Sequence, residues 1–119
     1  MIQGTVSDIG VPTITLSIAG QEWAATIDTG FNGDLELPET LREALNPQYI
    51  GEVISVLAGG QTLEEKLYRI NFLFDGEMIP AEVTFVADSN ILIGTRLLRK
   101  YRLQIDFVRQ TVILEKAIP

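Results

Sequence analysis

A chain of 119 residues with 46% apolar content is sized for one domain around one core, and a net charge of −7 disfavours a surface made for phosphate backbones. It contains no cysteine and no histidine, which excludes disulfides, thiol nucleophiles, thiolate metal sites and Ser-His-Asp catalysis. Carboxylates are then the leading acid–base groups near neutral pH, and with no long apolar run and no basic leader in Met1 to Asp8, a protein of the cytoplasm that contacts no membrane is expected.

Most of the chain reads as β-structure. Thr13 to Ile18 alternates polar and apolar residues, the pattern of a half-buried strand. Ala19-Gly20-Gln21 supplies a turn, and Glu22 to Ile27 returns as a second strand that becomes more apolar towards Asp28. After a loop at Asp28 to Gly33, Leu35-Glu36-Leu37 is a short extended piece stopped by Pro38. Glu39 to Leu45 has helical spacing at Leu41, Ala44 and Leu45, with Thr40 as its expected cap and Pro47 beyond its end. Gly51 to Leu57 and Gln61 to Tyr68 form a hairpin whose tip is Ala58-Gly59-Gly60, because glycine takes positive φ cheaply.

A further hairpin turns at Asp75-Gly76, between Ile70 to Phe74 and Met78 to Val86, and Pro80 marks its second arm as an edge or a bulge. Ile91-Leu92-Ile93 is a short apolar run ending at Gly94. Thr95 to Tyr101 is expected to be a short helix with its basic residues at the C-terminal end. Leu103, Ile105 and Phe107 alternate again, and Thr111 to Glu115 closes the chain. The expected class is all-β, mostly strands with one or two short helices, in a single barrel-like domain covering residues 1–119.

Asp28-Thr29-Gly30 is the segment that points to chemistry. A carboxylate directly after a strand that enters the core is costly unless its charge is compensated or shared. Gly30 lets backbone amides approach that carboxylate, and the Thr29 hydroxyl can bond across a symmetric contact. On the tripeptide alone, Asp28 is equally well a turn aspartate between strands. Glu64, Glu65, Glu39 and Glu43 read as solvated faces, Asp106 as structural, and the cluster Arg96, Arg99, Lys100 and Arg102 as helix-end charge.

The order of features from Thr13 to Phe107 resembles the retropepsin-like aspartic peptidases, in a bacterial and archaeal Asp-Thr-Gly-Phe branch. The resemblance rests on Asp28-Thr29-Gly30 after apolar residues, a glycine-tipped hairpin, and Ile91-Leu92-Ile93-Gly94 followed by Leu97-Leu98. It implies an acid-protease barrel with one Asp-Thr-Gly lobe per chain, and hence a homodimer that places two copies of Asp28 side by side. It further implies that Thr29, Gly30 and Phe31 complete the active-site loop, and that Ala58, Gly59 and Gly60 tip a flap over peptide or protein substrates. Ile93-Gly94 would support the loop from behind, and the terminal strands would interlock the dimer. No metal or other cofactor is called for, and no nucleic acid.

Two departures stand out. Phe31 occupies a position where better-known members carry alanine or serine, and either narrows the cleft or packs as a core aromatic. The arginine and aspartate that retroviral proteases pair beside the loop are replaced by Thr95 and Asn32, leaving open whether Arg96 or Asp34 takes over. A non-catalytic β-dimer binding a peptide in the same cleft is the competing expectation. A carboxylate site for calcium using Asp28 and Asp34 is a weaker one, since it lacks a recognised loop spacing.

Overall fold

In a computed structural model, whose described residues are 1–117, ten strands join into one sheet. In chain order they are β1 (Ile2–Val6), β2 (Pro12–Ile18), β3 (Gln21–Ile27), β4 (Leu35–Pro38), β5 (Gln48–Val56), β6 (Thr62–Phe74), β7 (Glu77–Val86), β8 (Ile91–Ile93), β9 (Tyr101–Asp106) and β10 (Thr111–Lys116). Their order across the sheet is β5-β6-β7-β4-β8-β3-β2-β1-β10-β9. Among the described residues no helix is long and apolar enough to cross a membrane.

The alternation read from the sequence is the alternation of burial. Ile14, Leu16 and Ile18 of β2 face the core, as do Ile70, Phe72 and Phe74 of β6, while the residues between them are exposed. The centre of the core is the row Ile27, Ile93, Leu35 and Val83, which runs across β3, β8, β4 and β7. These four side chains are almost wholly removed from water, and each contributes roughly 1.5–3 kcal/mol by its burial.

Several expectations need correction. The stretches expected at Gln61 to Tyr68 and Ile70 to Phe74 merge into one strand, β6, thirteen residues long from Thr62 to Phe74. The segment Glu39 to Leu45 splits into a 3-10 turn (Glu39–Leu41) and one turn of helix, α1 (Arg42–Leu45). Thr40 does not cap it; the position before the turn is Pro38, which has no side-chain donor or acceptor to offer, and Asn46 in the left-handed conformation ends it.

Thr95 to Tyr101 is not a helix. Leu98 N–H bonds to Thr95 O and Tyr101 N–H to Leu98 O, giving two tight turns before β9 starts at Tyr101. Too few residues lie between Gly94 and β9 for a stable helical ladder. Pro80 does sit where β7 has a neighbour on one side only, since pairing with β4 begins at Val83.

The terminal strands pair within the chain. β1, which the sequence reading passes over, runs antiparallel to β10 and to β2, and β10 is flanked by β1 and β9. β1 meets β2 only at Thr5 and Val6, and β10 meets β1 only from Thr111 to Leu114, so the outer part of each strand is paired on one side alone.

Candidate active site

Asp28 stands where β3 leaves the core. Its predecessors Ala25 and Ile27 are buried, it is itself half-buried, and Thr29 and Gly30 lie at the surface. The position is set by main-chain bonds. Asp28 N–H donates to Ile93 O at 2.9 Å, which extends the parallel pairing of β3 with β8 by one residue. The turn closes when Phe31 N–H donates to Asp28 O at 3.1 Å, and Gly30 N–H donates to Asp28 Oδ1 at 2.9 Å. The carboxylate is therefore held by an amide of its own loop and keeps its other oxygen for another partner.

Gly94 passes directly behind the loop. Its N–H donates to Asp34 O at 3.0 Å, Thr95 N–H to Phe31 O at 2.9 Å, and Arg96 N–H to Gly33 O at 3.2 Å. A Cβ on Gly94 would overlap the Gly33 carbonyl oxygen, so only glycine lets the two segments approach this closely. The Phe31 ring lies against Gly33 and Gly94, where a Cβ on either would collide with it. Phe31 thus packs as a wedge between loop and support, with part of its surface left accessible.

Asp34 is the buried charge of the region, at 3% exposure. Its Oδ2 accepts from Glu82 N–H at 2.8 Å and from Arg96 Nη1 at 3.0 Å, and Arg96 also reaches Glu82 Oε2 at 2.8 Å. The ion pair missing at Thr95 and Asn32 is therefore supplied by Asp34 and Arg96, tying β4, β7 and the segment after β8 together. Asp34 is committed to this network, so the notion of a calcium site shared with Asp28 fails. Arg96 and Arg99 belong to it as well, 3.0 and 3.8 Å from Asp34, which replaces their reading as helix-end charge. Asp106, in turn, accepts from Val108 N–H and Arg109 N–H and caps the turn between β9 and β10.

A further carboxylate faces Asp28. Glu36 lies on the side of β4 opposite the buried Leu35 and Leu37, in one row with Leu92 of β8 and Thr26 of β3. Partial burial pushes the Glu36 carboxyl above its ordinary value, and the negative charges of Glu65, Asp88 and Asp28 push it the same way. The sequence reading passes over Glu36, although the alternation Leu35-Glu36-Leu37 already assigns it to the face away from the core.

The hairpin of β5 and β6 rises beside this row. Its base is anchored by Tyr68, which packs edge-on against Tyr49 at 5.7 Å and Phe85 at 5.4 Å, with the Arg42 guanidinium 4.8 Å above its ring. Its tip is Ala58, Gly59 and Gly60, closed by Gly60 N–H to Leu57 O and Leu57 N–H to Gln61 O. Gly60 needs its positive φ of 81° for this turn, whereas Gly59 does not. Near the tip Ile54 and Val56 are 68% and 74% exposed, an apolar surface with nothing of the described chain upon it. A cavity lined by Asp34, Phe74, Ile79, Leu97 and Arg99 lies elsewhere, and Asp28 is not part of its wall.

Comparison with family models and with curated proteins finds no match. Solved structures do match. A retropepsin-like aspartic protease from Rickettsia conorii superposes with a TM-score of 0.67 at 19% identity, over 95% of this chain and 88% of that one. The simian foamy virus (mac) protease gives 0.56 at 21% identity, over 73% of this chain and 91% of that one. The EIAV protease in complex with the inhibitor HBY-793 gives 0.57 at 16% identity, over 80% and 91%. The chain therefore has the fold of the retropepsin-like aspartic proteases.

Proposed function

We propose that the chain is one subunit of an aspartic endopeptidase whose active site forms when two copies bring their Asp28 carboxylates together. The observation that carries this reading is the Asp28 loop: a half-buried aspartate at a strand end, its backbone N–H on Ile93 O, its carboxylate accepting from Gly30 N–H, and Gly94 bracing the loop from behind. A turn aspartate with no chemical task needs no such brace. The fold shared with aspartic proteases supports the same reading.

Two carboxylates a few ångströms apart cannot both ionise easily, so the pair holds one proton, as is established for aspartic protease dyads in general. The ionised Asp28 takes a proton from a bound water, and the water oxygen attacks the peptide carbonyl carbon. The protonated Asp28 of the other subunit donates its proton to the carbonyl oxygen, giving a neutral gem-diol. As the C–N bond breaks, the carboxyl that took the water proton gives it to the amine nitrogen, and the other carboxylate takes a proton from a gem-diol hydroxyl, which restores the singly protonated dyad. The two apparent pKa values belong to the pair. The Thr29 hydroxyl would bond to the opposite loop, and the hairpins tipped by Ala58, Gly59 and Gly60 would close over an extended peptide or protein segment.

The test is digestion of a peptide library across roughly pH 3.5–7.5 by wild type and Asp28→Asn, with the mass of each protein in solution recorded. Cleavage by wild type and a loss of at least about 10³-fold in kcat/KM in a folded Asp28→Asn dimer is expected. A wild-type dimer that cuts nothing at any pH would instead make the cleft a peptide-binding groove.

A further inference from the structure

Alternation along β3 puts Thr26 and Asp28 on one face of the sheet, away from the core row of Ile27, Ile93 and Leu35. Leu92 is the partner of Thr26, and Glu36 the partner of Leu92, so these two side chains continue the floor sideways from Asp28. Both are half-buried. Neighbouring strands lie about 4.8 Å apart, which sets Glu36 roughly 10 Å across the floor from Thr26. An extended peptide advances about 3.3 Å per residue, so a side chain that reaches Glu36 belongs to a residue within about two of the bond above Asp28.

The hairpin presents a second carboxylate to the same place. Val53↔Glu65 and Ser55↔Leu63 are cross-strand partners, so these four share one face of the β5–β6 ladder, and Val53, Ser55 and Glu65 are half-buried there. Glu52, Ile54, Val56 and Glu64 take the opposite, exposed face. Ser55 Oγ donates to Glu65 Oε1 at 3.1 Å and holds that carboxylate on the inner face. Of the charges that act on Glu36, Glu65 ranks ahead of Asp88 and Asp28, so the inner face of the hairpin looks onto the floor at Glu36.

Elsewhere in the sheet the half-buried and buried carboxylates have partners. Asp34 and Glu82 share Arg96, and Asp75 accepts from the Tyr101 hydroxyl at 3.2 Å. Among the described residues no lysine or arginine pairs with Glu36 or Glu65. Leu92, beside Glu36, is the apolar surface that the methylene stem of a long cationic side chain needs, with the carboxylate placed for its head.

We propose that Glu36 selects a lysine or arginine in the substrate, within about two residues of the scissile bond, with Leu92 under its stem and Glu65 closing on its charge from the hairpin. The proposal rests on the peptidase reading and names the peptides that such a site takes. It also gives the hairpin a reason to close. Glu36 and Glu65 repel each other across an empty cleft, and a cation between them turns that repulsion into two attractions that draw cover onto floor.

The test compares two peptides that differ at one residue, lysine in one and norleucine, which has a similar stem and no charge, in the other. The lysine is moved through the two positions on either side of the cut. At the best position wild type should favour lysine by at least about tenfold in kcat/KM, chiefly through KM, and less in high salt. Glu36→Gln should bring the ratio near one, and Glu36→Lys should favour glutamate there instead. Glu64→Gln alters the net charge as much as Glu36→Gln but lies on the hairpin's outer face, and should leave the lysine preference in place.

An equal rate for the two peptides at every position, or a preference that Glu64→Gln erases as fully as Glu36→Gln does, overturns the proposal and leaves the peptidase standing. If wild type cuts neither peptide, binding of the same pair followed by fluorescence anisotropy decides. A lysine preference lost in Glu36→Gln upholds the Glu36 subsite while the peptidase reading falls, and binding without preference, or no binding, sinks the subsite.

Discussion

Around Asp28 the backbone is tied to segments distant in sequence: Asp28 to Ile93, Phe31 to Thr95, Gly33 to Arg96 and Asp34 to Gly94. The hairpin tip closes only on itself, through Leu57, Gly60 and Gln61, and leaves Ile54 and Val56 in water. The first region is over-determined, so one side chain cannot shift without breaking several bonds. The second has few constraints beyond its own turn and belongs to the low-stability end of the molecule. Under the peptidase reading proposed above, such a division suits a carboxylate that must stay fixed while the hairpin over it opens.

The contrast breaks most severely at Gly94. Gly94→Ala drives a methyl into the Gly33 carbonyl and the Phe31 ring, neither of which can withdraw without opening the loop. A loss of roughly 3 kcal/mol or more is expected from overpacking together with displaced main-chain bonds. Urea denaturation measures it, and a change under about 1 kcal/mol would show that the loop has slack which the bonds do not suggest.

Next comes Asp34→Asn, which keeps the shape but removes the charge that Arg96 pairs with at 3.0 Å. Hydrogen bonds to buried charged groups are worth about 1.5–3 kcal/mol, and Arg96 retains Glu82, so roughly 2 kcal/mol should be lost. A double-mutant cycle with Arg96→Met reads the coupling. Coupling near zero would reduce the pair to a surface contact.

What was legible in the sequence follows the same division. Short-range patterns carried the Asp28 loop, the tip at Gly59-Gly60 and the alternation of β2, because each is written in a few neighbouring residues. The Gly94 support was legible only through resemblance, since nothing local reveals that Gly94 must pass behind Gly33. Thr95 to Tyr101 misled because Leu97 and Leu98, both buried, fit a helix as well as they fit two successive tight turns. β1, the pairing of the chain ends and the Asp34–Arg96 bond were not legible at all. They depend on contacts across most of the chain, which no window of periodicity contains.

At the tip the prediction is smaller and of a different kind. Gly60→Ala places a methyl-bearing residue at φ 81°, which costs about 1 kcal/mol locally, with no neighbouring atom to strike. Because the tip's bonds are not shared with the core, global stability should move by less than that, while the cover becomes harder to close. KM for a peptide substrate should rise with the urea midpoint nearly unchanged. A large drop in the midpoint would show the tip to be coupled to the core after all.

Glu36→Gln is expected to have the smallest effect, and its sign tests whether the cleft is fixed as firmly as the loop. A carboxyl raised above its ordinary 4.5 binds its proton more tightly in the folded chain than in the unfolded one. Stability therefore falls as pH rises through and above that value, and is undiminished below it. Removing the charge should stabilise the protein at neutral pH by well under 1 kcal/mol, because Glu36 is half-exposed and solvent screens its neighbours. That corresponds to a rise in Tm of about 1–3 °C at pH 7, shrinking towards zero below about pH 4. Salt should narrow the gap by screening Glu65, Asp88 and Asp28, though the share due to burial persists. If Glu36→Gln instead destabilises at pH 7, these carboxylates relax away from one another, and the cleft floor is as yielding as the hairpin above it.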